Sequence, residues 1–370
     1  MLKQTSLIAL SLLLSALLLA PACDSGKGPA DNFDRQALLT NFADNLIKPA
    51  YAGLKARLET LNTAVADFNA APSVSALQTL RAAWLAAYTS WQSANAYNFG
   101  PAGESGLRKS LIEEMGTFPA NTTTIESKIA AGQWDLTDFN RDARGFLAAE
   151  YLIFGNNQSD DAVVAAFAGS DGRRSYLAAL AGNLRDRTDT VLAEWNGSYR
   201  DAFVQNDGTD AGSSTSALYN EFVRSFESLK NFKLGLPLGK RPGQTQPEPQ
   251  LVEARYSNTS IAMLKAHFSN LEAIWYGRSA TGQDGSGFRE YLESVEGGND
   301  LIASTETQLA AVKAALSAVS DTPSLSEQIA GDKTRVETLY TELQKLTRFF
   351  KSDLSSLLGI AITFSSGDGD

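Results

Sequence analysis

The run Asp142-Ala143-Arg144-Gly145-Phe146-Leu147-Ala148-Ala149-Glu150-Tyr151-Leu152-Ile153-Phe154-Gly155 is apolar over most of its length, holds one carboxylate in its apolar part, and closes on glycine. It lacks the period-two alternation of a half-buried strand, so it reads as a buried helix, predicted over 136–154 with Gly155 as its C-cap. The stretch Glu272-Ala273-Ile274-Trp275-Tyr276-Gly277 repeats its ending: Glu, any residue, aliphatic, apolar, aromatic, Gly. Phe146 and Phe268 precede the two glutamates by the same distance. The echo points to two related helical halves, with chance likeness between two helix ends as the alternative.

Outward from this stretch the spacing stays helical. Leu38, Leu39, Phe42, Leu46, Tyr51, Leu54, Leu58, Leu61, Val65 and Phe68 recur with helical period, and Leu77, Leu80, Trp84, Tyr88 and Trp91 form a second stripe behind Ser73, a candidate N-cap. Further helices are expected over 107–115, 122–131, 175–195, 217–232, 261–275, 288–319 and 324–357, with a Gly/Pro-rich extended connection over 234–249. The expected fold is all-α, two antiparallel helical bundles: one half over 33–233, a connection over 234–250, and a second half with a C-terminal tail over 251–370.

Met1 and Lys3 open a short basic region, Leu7 to Leu19 is a nearly unbroken apolar run, and Leu19-Ala20-Pro21-Ala22 supplies the small residues of a cleavage point. The apolar run is short of the roughly 20 residues a membrane span needs. Residues 1–22 therefore read as a leader. Cys23, the only cysteine, stands where a lipobox places the lipid-modified residue, with Pro21 where Ser or Ala is more usual; a plain signal peptide is the alternative. Residues 23–32 read as a tether. An anchored mature chain would face the cell envelope, held to the membrane by lipid on Cys23.

The formal net charge of −10 argues against nucleic-acid partners. One cysteine excludes an intramolecular disulfide, and with His267 as the sole histidine, Cys-based and multi-His zinc sites are excluded as well. No Gly-x-Ser-x-Gly elbow and no paired-His zinc motif occurs.

The 142–155 run resembles the Gly-x-His-x-x-Glu signature of the imelysin-like family, which continues into an apolar pair, an aromatic residue and Gly. Trp91 with Ala96-Tyr97-Asn98-Phe99-Gly100-Pro101, Gly116-Thr117-Phe118-Pro119, Leu234-Gly235-Leu236-Pro237, Glu253 with Tyr256-Ser257, and the tail from Gly359 to Asp370 resemble other family segments in the same order. The resemblance implies two helical bundles related by a pseudo-twofold. It also implies an envelope protein, often a lipoprotein, linked to iron uptake and its envelope partners, with a metallopeptidase among the family's described activities.

The departures matter. Leu147 replaces the signature His, and a hydrocarbon one turn from Glu150 cannot ligate. Asn95 stands where metal-binding relatives tend to carry Glu, and an amide oxygen is a weaker ligand than a carboxylate. A divalent Fe or Zn site is therefore expected to be weak or absent, with Glu150 as its residual ligand. Gly145, Glu150, Asn95, Glu253, Arg255 and Ser257 form the candidate binding set, the last three read as opening a helix that faces Glu150. A structural Glu150 paired with Arg144 or another arginine is the competing reading. Trp91, Tyr97 and Phe99 read as core, His267 as an exposed or hydrogen-bonded helix residue, and Asp368 and Asp370 as solvated carboxylates or a Ca²⁺ contact. The expected function is non-enzymatic ligand or partner binding. A metal-dependent peptidase and a structural lipoprotein are the alternatives.

Overall fold

The computed structural model describes residues 32–105 and 110–364. The leader, Cys23 and the Asp368–Asp370 pair lie outside the described residues. Asp34 opens the first helix as its N-cap, accepting from the Ala37 N–H. The helix runs through Arg35–Asn41, a π-helical stretch Phe42–Ile47, and Lys48–Ala70. Its expected apolar stripe, Leu38 through Phe68, is buried throughout. Ser73 caps the next helix, Val74–Ala94, by accepting from Ala76 N–H, and that helix packs on the first along the Leu77–Trp91 stripe. The helix Asp171–Asn196 closes against the other side of Lys48–Ala70, where Asn62 and Asn69 donate to its backbone carbonyls at 2.9 Å each.

All secondary structure among the described residues is helical save an isolated bridge at Ser105, and no strand is formed. The described residues from Asp34 onward form one compact unit. Helices on either side of the 234–250 connection pack directly on each other, Val74–Ala94 against Ser260–Trp275. The helix Ser214–Glu227 is buried along most of its length despite its polar composition. Several of its polar groups are satisfied: Asn220 holds the C-terminal segment through Ala361 O and the Thr363 N–H, and Tyr219 donates to Phe350 O at 2.6 Å.

Several expected helices are shorter than their periodicity implied. The helix expected over 136–154 begins at Gly145, after a turn and a 3₁₀ stretch Arg141–Ala143. The cause is tertiary. Gly145 takes φ +72°, its Cα faces the Met115 carbonyl, and Phe146 N–H donates to that oxygen at 2.8 Å. The 288–319 stretch breaks at Glu293 and restarts at Gly298, and the 324–357 stretch breaks at Gly331.

A Cβ on residue 145 would stand 2.0 Å from Met115 O. Gly145→Ala combines a left-handed backbone cost of about 1–2 kcal/mol with overpacking of about 1–3 kcal/mol. It should lower the urea midpoint by an amount worth at least ~2 kcal/mol, whereas Gly182→Ala, mid-helix with open space at its Cβ, should gain about 0.5–1 kcal/mol. Equal midpoints for the two variants would contradict the assigned backbone.

Candidate functional site

Glu150 projects from the Gly145–Phe154 helix and is 2% exposed. Its Oε1 accepts from the Ser257 N–H at 2.8 Å and the Ser257 hydroxyl at 2.6 Å. Burial pushes its pKa up to about 7, against the opposing pull of the Ser257 hydrogen bonds. Arg144 is not its counter-ion. That guanidinium donates to Leu136 O and Asp138 O and stands 3.8 Å from Glu114.

Residues 253–258 form a turn rather than a helix start, with Ala254 and Asn258 at positive φ; the helix begins at Ser260. The turn brings Ser257 to Glu150 and points Glu253 inward, where it is 4% exposed. Arg255 faces outward, its guanidinium 5.9 Å from the Tyr256 ring centre.

A second buried carboxylate centre adjoins the first. Tyr88 donates to Glu253 Oε1 at 2.6 Å, and Lys233 Nζ stands 2.9 Å from Glu253 Oε2. Lys233 also donates to Gln92 Oε1 at 2.6 Å, and Asn95 donates to the same oxygen at 3.2 Å. Ser225 Oγ continues the chain, 3.5 Å from Asn95 Oδ1 and 2.7 Å from His267 Nε2. Burial lowers the pKa of Lys233, while Glu253 holds it up. Burial, with Lys233 nearby, drives His267 well below its usual value, so the imidazole is neutral at physiological pH. Among the described residues His267 Nδ1 is buried without a hydrogen-bond partner. A bare lone pair there costs less than an orphaned donor, which places the proton on Nε2, facing Ser225.

This polar chain ends at a cavity of about 260 Å³. Asn95, Glu113, Glu221, Arg224, Ser225 and His267 are among its lining residues. Glu221 is 5% exposed; among the described residues it accepts no hydrogen bond, and its charged partner is Arg224 at 3.4 Å. Burial pushes its pKa up to about 7.

The structure therefore joins Glu150 to Ser257 and Asn95 to the Glu253 turn through Gln92 and Lys233. Gly145 shapes the backbone beneath Glu150, and Arg255 stands apart. Tyr88, Gln92, Glu221, Ser225 and Lys233 are site residues that the sequence reading missed. Trp91, Tyr97 and Phe99 are buried in the core. His267 is hydrogen-bonded as one reading had it, and buried rather than exposed.

The donor set around Glu150 does not suit a divalent transition metal. Leu147 is buried at the signature His position, Ser257 occupies a Glu150 oxygen, and an ammonium already neutralises Glu253. Among the described residues no group of three or more His, Cys, Asp or Glu side chains could hold a metal ion.

Iron-regulated protein A of Synechococcus elongatus is 25% identical over 274 residues, covering 70% of this chain and 70% of that protein. A solved structure of an iron-regulated protein A precursor from Parabacteroides distasonis superposes with a TM-score of 0.72 at 19% identity, covering 90% of this chain and 97% of that one. An imelysin-like protein from Psychrobacter arcticum superposes with a TM-score of 0.70 at 21% identity and the same coverage. These two likenesses establish the fold. Residues 47–349 match the family described as imelysin, peptidase family M75, over most of the chain, and the protein belongs to that family.

Proposed function

We propose that this protein is a lipid-anchored, non-catalytic imelysin-family protein of the bacterial envelope that binds a small polar ligand in support of iron acquisition. The observation that carries the non-catalytic reading is the state of the signature position. Leu147 is 2% exposed and donates nothing, and the glutamate one turn on is held by Ser257. A peptidase needs an activated water or nucleophile beside a group that can accept its proton. Here the sole imidazole is committed to Ser225 and lies across the network from Glu150. The polar cavity at Asn95, Glu221 and His267 supplies a place for a ligand.

The anchor is inferred from the leader and Cys23. No described helix is long and apolar enough to cross a membrane. The iron connection is carried over from the names of the relatives. The described residues from Asp34 onward form one compact unit, and its two sequence halves are proposed as pseudo-twofold partners.

Metabolic labelling with an alkyne fatty acid should tag the wild-type chain and leave Cys23→Ala unlabelled. Under iron starvation, a strain lacking the protein should grow more slowly and be rescued by the wild type. The purified chain should leave a peptide library intact with or without added Zn²⁺. Chelator-sensitive cleavage would overturn the non-catalytic reading, and wild-type growth of the deletion strain on limiting iron would overturn the physiological one.

A further inference from the structure

The Ser228–Gly235 stretch is π-helical and carries two buried lysines into different surroundings. Lys233 enters the Glu253 network described above. Lys230, 3% exposed, faces a separate cavity of about 510 Å³ bounded by the 239–244 turn and the Thr334–Thr347 helix. π-Helical stretches inside longer helices recur at functional sites because the extra residue re-aims side chains. Gly235 lets the stretch approach that helix closely, since a Cβ there would stand 3.2 Å from Tyr340.

The lining of this cavity is one-signed. It contains Lys230, Lys240 and Arg241, with no Asp or Glu, in a chain whose net charge is −10. The remaining polar lining includes Asn231 and Gln344, whose amides can donate hydrogen bonds, while Thr347 gives its hydroxyl proton to Leu343 O at 3.3 Å. Lys230 Nζ is positioned by Thr347 Oγ1 at 3.0 Å, and Arg241 is steered over the Phe232 ring, 4.8 Å from its centre. Lys240 reaches Glu337 at 3.3 Å, a pair exposed enough to exchange partners. The volume falls within the range of small-molecule sites, about 300–1,000 Å³.

We propose that this basic cavity binds a small oxyanion carrying two or more negative charges. Lys230 is the buried anchor, and Lys240 and Arg241 are the rim cations that close on the ligand. Clustered anionic oxygens match both a guanidinium fork and ammonium donors. The proposal is independent of the Glu150 region and of its role.

Calorimetric titration of the full chain in mild detergent, with inorganic phosphate and separately with citrate, tests this at low ionic strength. One saturable site is expected for at least one of the two anions, and which anion binds identifies the source chemistry. The Lys240→Gln/Arg241→Gln double variant, altered only at the rim so that folding is spared, should weaken binding at least tenfold. Lys55→Gln, a surface cation outside the cavity lining and paired with Asp189, should leave it unchanged. Absence of binding by both anions at millimolar concentration, unchanged affinity in the double variant, or equal weakening by Lys55→Gln would each overturn the proposal.

Discussion

Replacing Lys233 with methionine is expected to destabilise the protein by about 3–5 kcal/mol, because it leaves a buried carboxylate without its counter-charge. Glu253 would keep only the Tyr88 hydroxyl at 2.6 Å, and Gln92 would lose the ammonium that approaches it to 2.6 Å. Both members of the pair have side chains only 5% exposed, so water cannot compensate as it does for surface ion pairs. The loss should be smaller when both charges go. Lys233→Met/Glu253→Gln retains the acceptor facing Tyr88 and removes the uncompensated charge, and it should recover at least ~1 kcal/mol relative to Lys233→Met alone. Urea unfolding of the wild type, both single variants and the double gives the coupling energy. A Lys233→Met cost under about 1 kcal/mol would mean that the pair is solvated, and the buried network would have to be abandoned.

The same residues show where sequence reading succeeds and where it stops. The stripes on the first two helices were legible because period 3.6 is a local property, and each expected apolar position is buried. Ser73 was legible as a cap because its chemistry acts three residues away. Glu150 stood out as the one charge in the apolar part of its run, and that oddity led to the buried carboxylate. Gly145 was not legible as a helix start, because the Met115 carbonyl that fixes its backbone belongs to a distant turn. Lys233 sits between Phe232 and Leu234, where a lysine ordinarily carries its charge out to solvent; only the fold brings the 253–258 turn against it. Glu221 was hidden for the opposite reason. Its helix reads as polar and surface-like, yet tertiary packing buries it. The π-helical stretches escape any template built on 3.6 residues per turn.

Two buried glutamates should also make the protein less stable as pH rises from about 4.5 to 7. Glu150 and Glu221 each have a folded pKa near 7 against an ordinary 4.5, with burial as the main cause. A group whose folded pKa is raised contributes fully below its unfolded pKa and loses that contribution as pH climbs through the folded value. Each shift corresponds to about 3 kcal/mol, so the two together amount to roughly 6 kcal/mol by pH 8. His267 works in the opposite sense. Its folded pKa lies well below 6.5, so it withholds stability at low pH and restores it as pH rises through the unfolded value. Carboxylates held below their ordinary values, such as Asp44 beside Arg200, lose their contribution only as pH falls beneath the usual carboxylate range. Differences between variants separate these effects. Glu150→Gln mimics the neutral acid and keeps an acceptor for the Ser257 N–H and hydroxyl, and Glu221→Gln does the same beside Arg224. Relative to wild type, each should gain stability between pH 5 and 7 with a slope approaching one proton and level off above pH 7, and the double variant with a slope approaching two. Unfolding free energies that run parallel to wild type across this window would show that both carboxylates ionise as freely in the folded chain as in water. Burial would not then outweigh the Ser257 hydrogen bonds at Glu150 or the Arg224 charge at Glu221, and the raised pKa assigned to both would have to be abandoned.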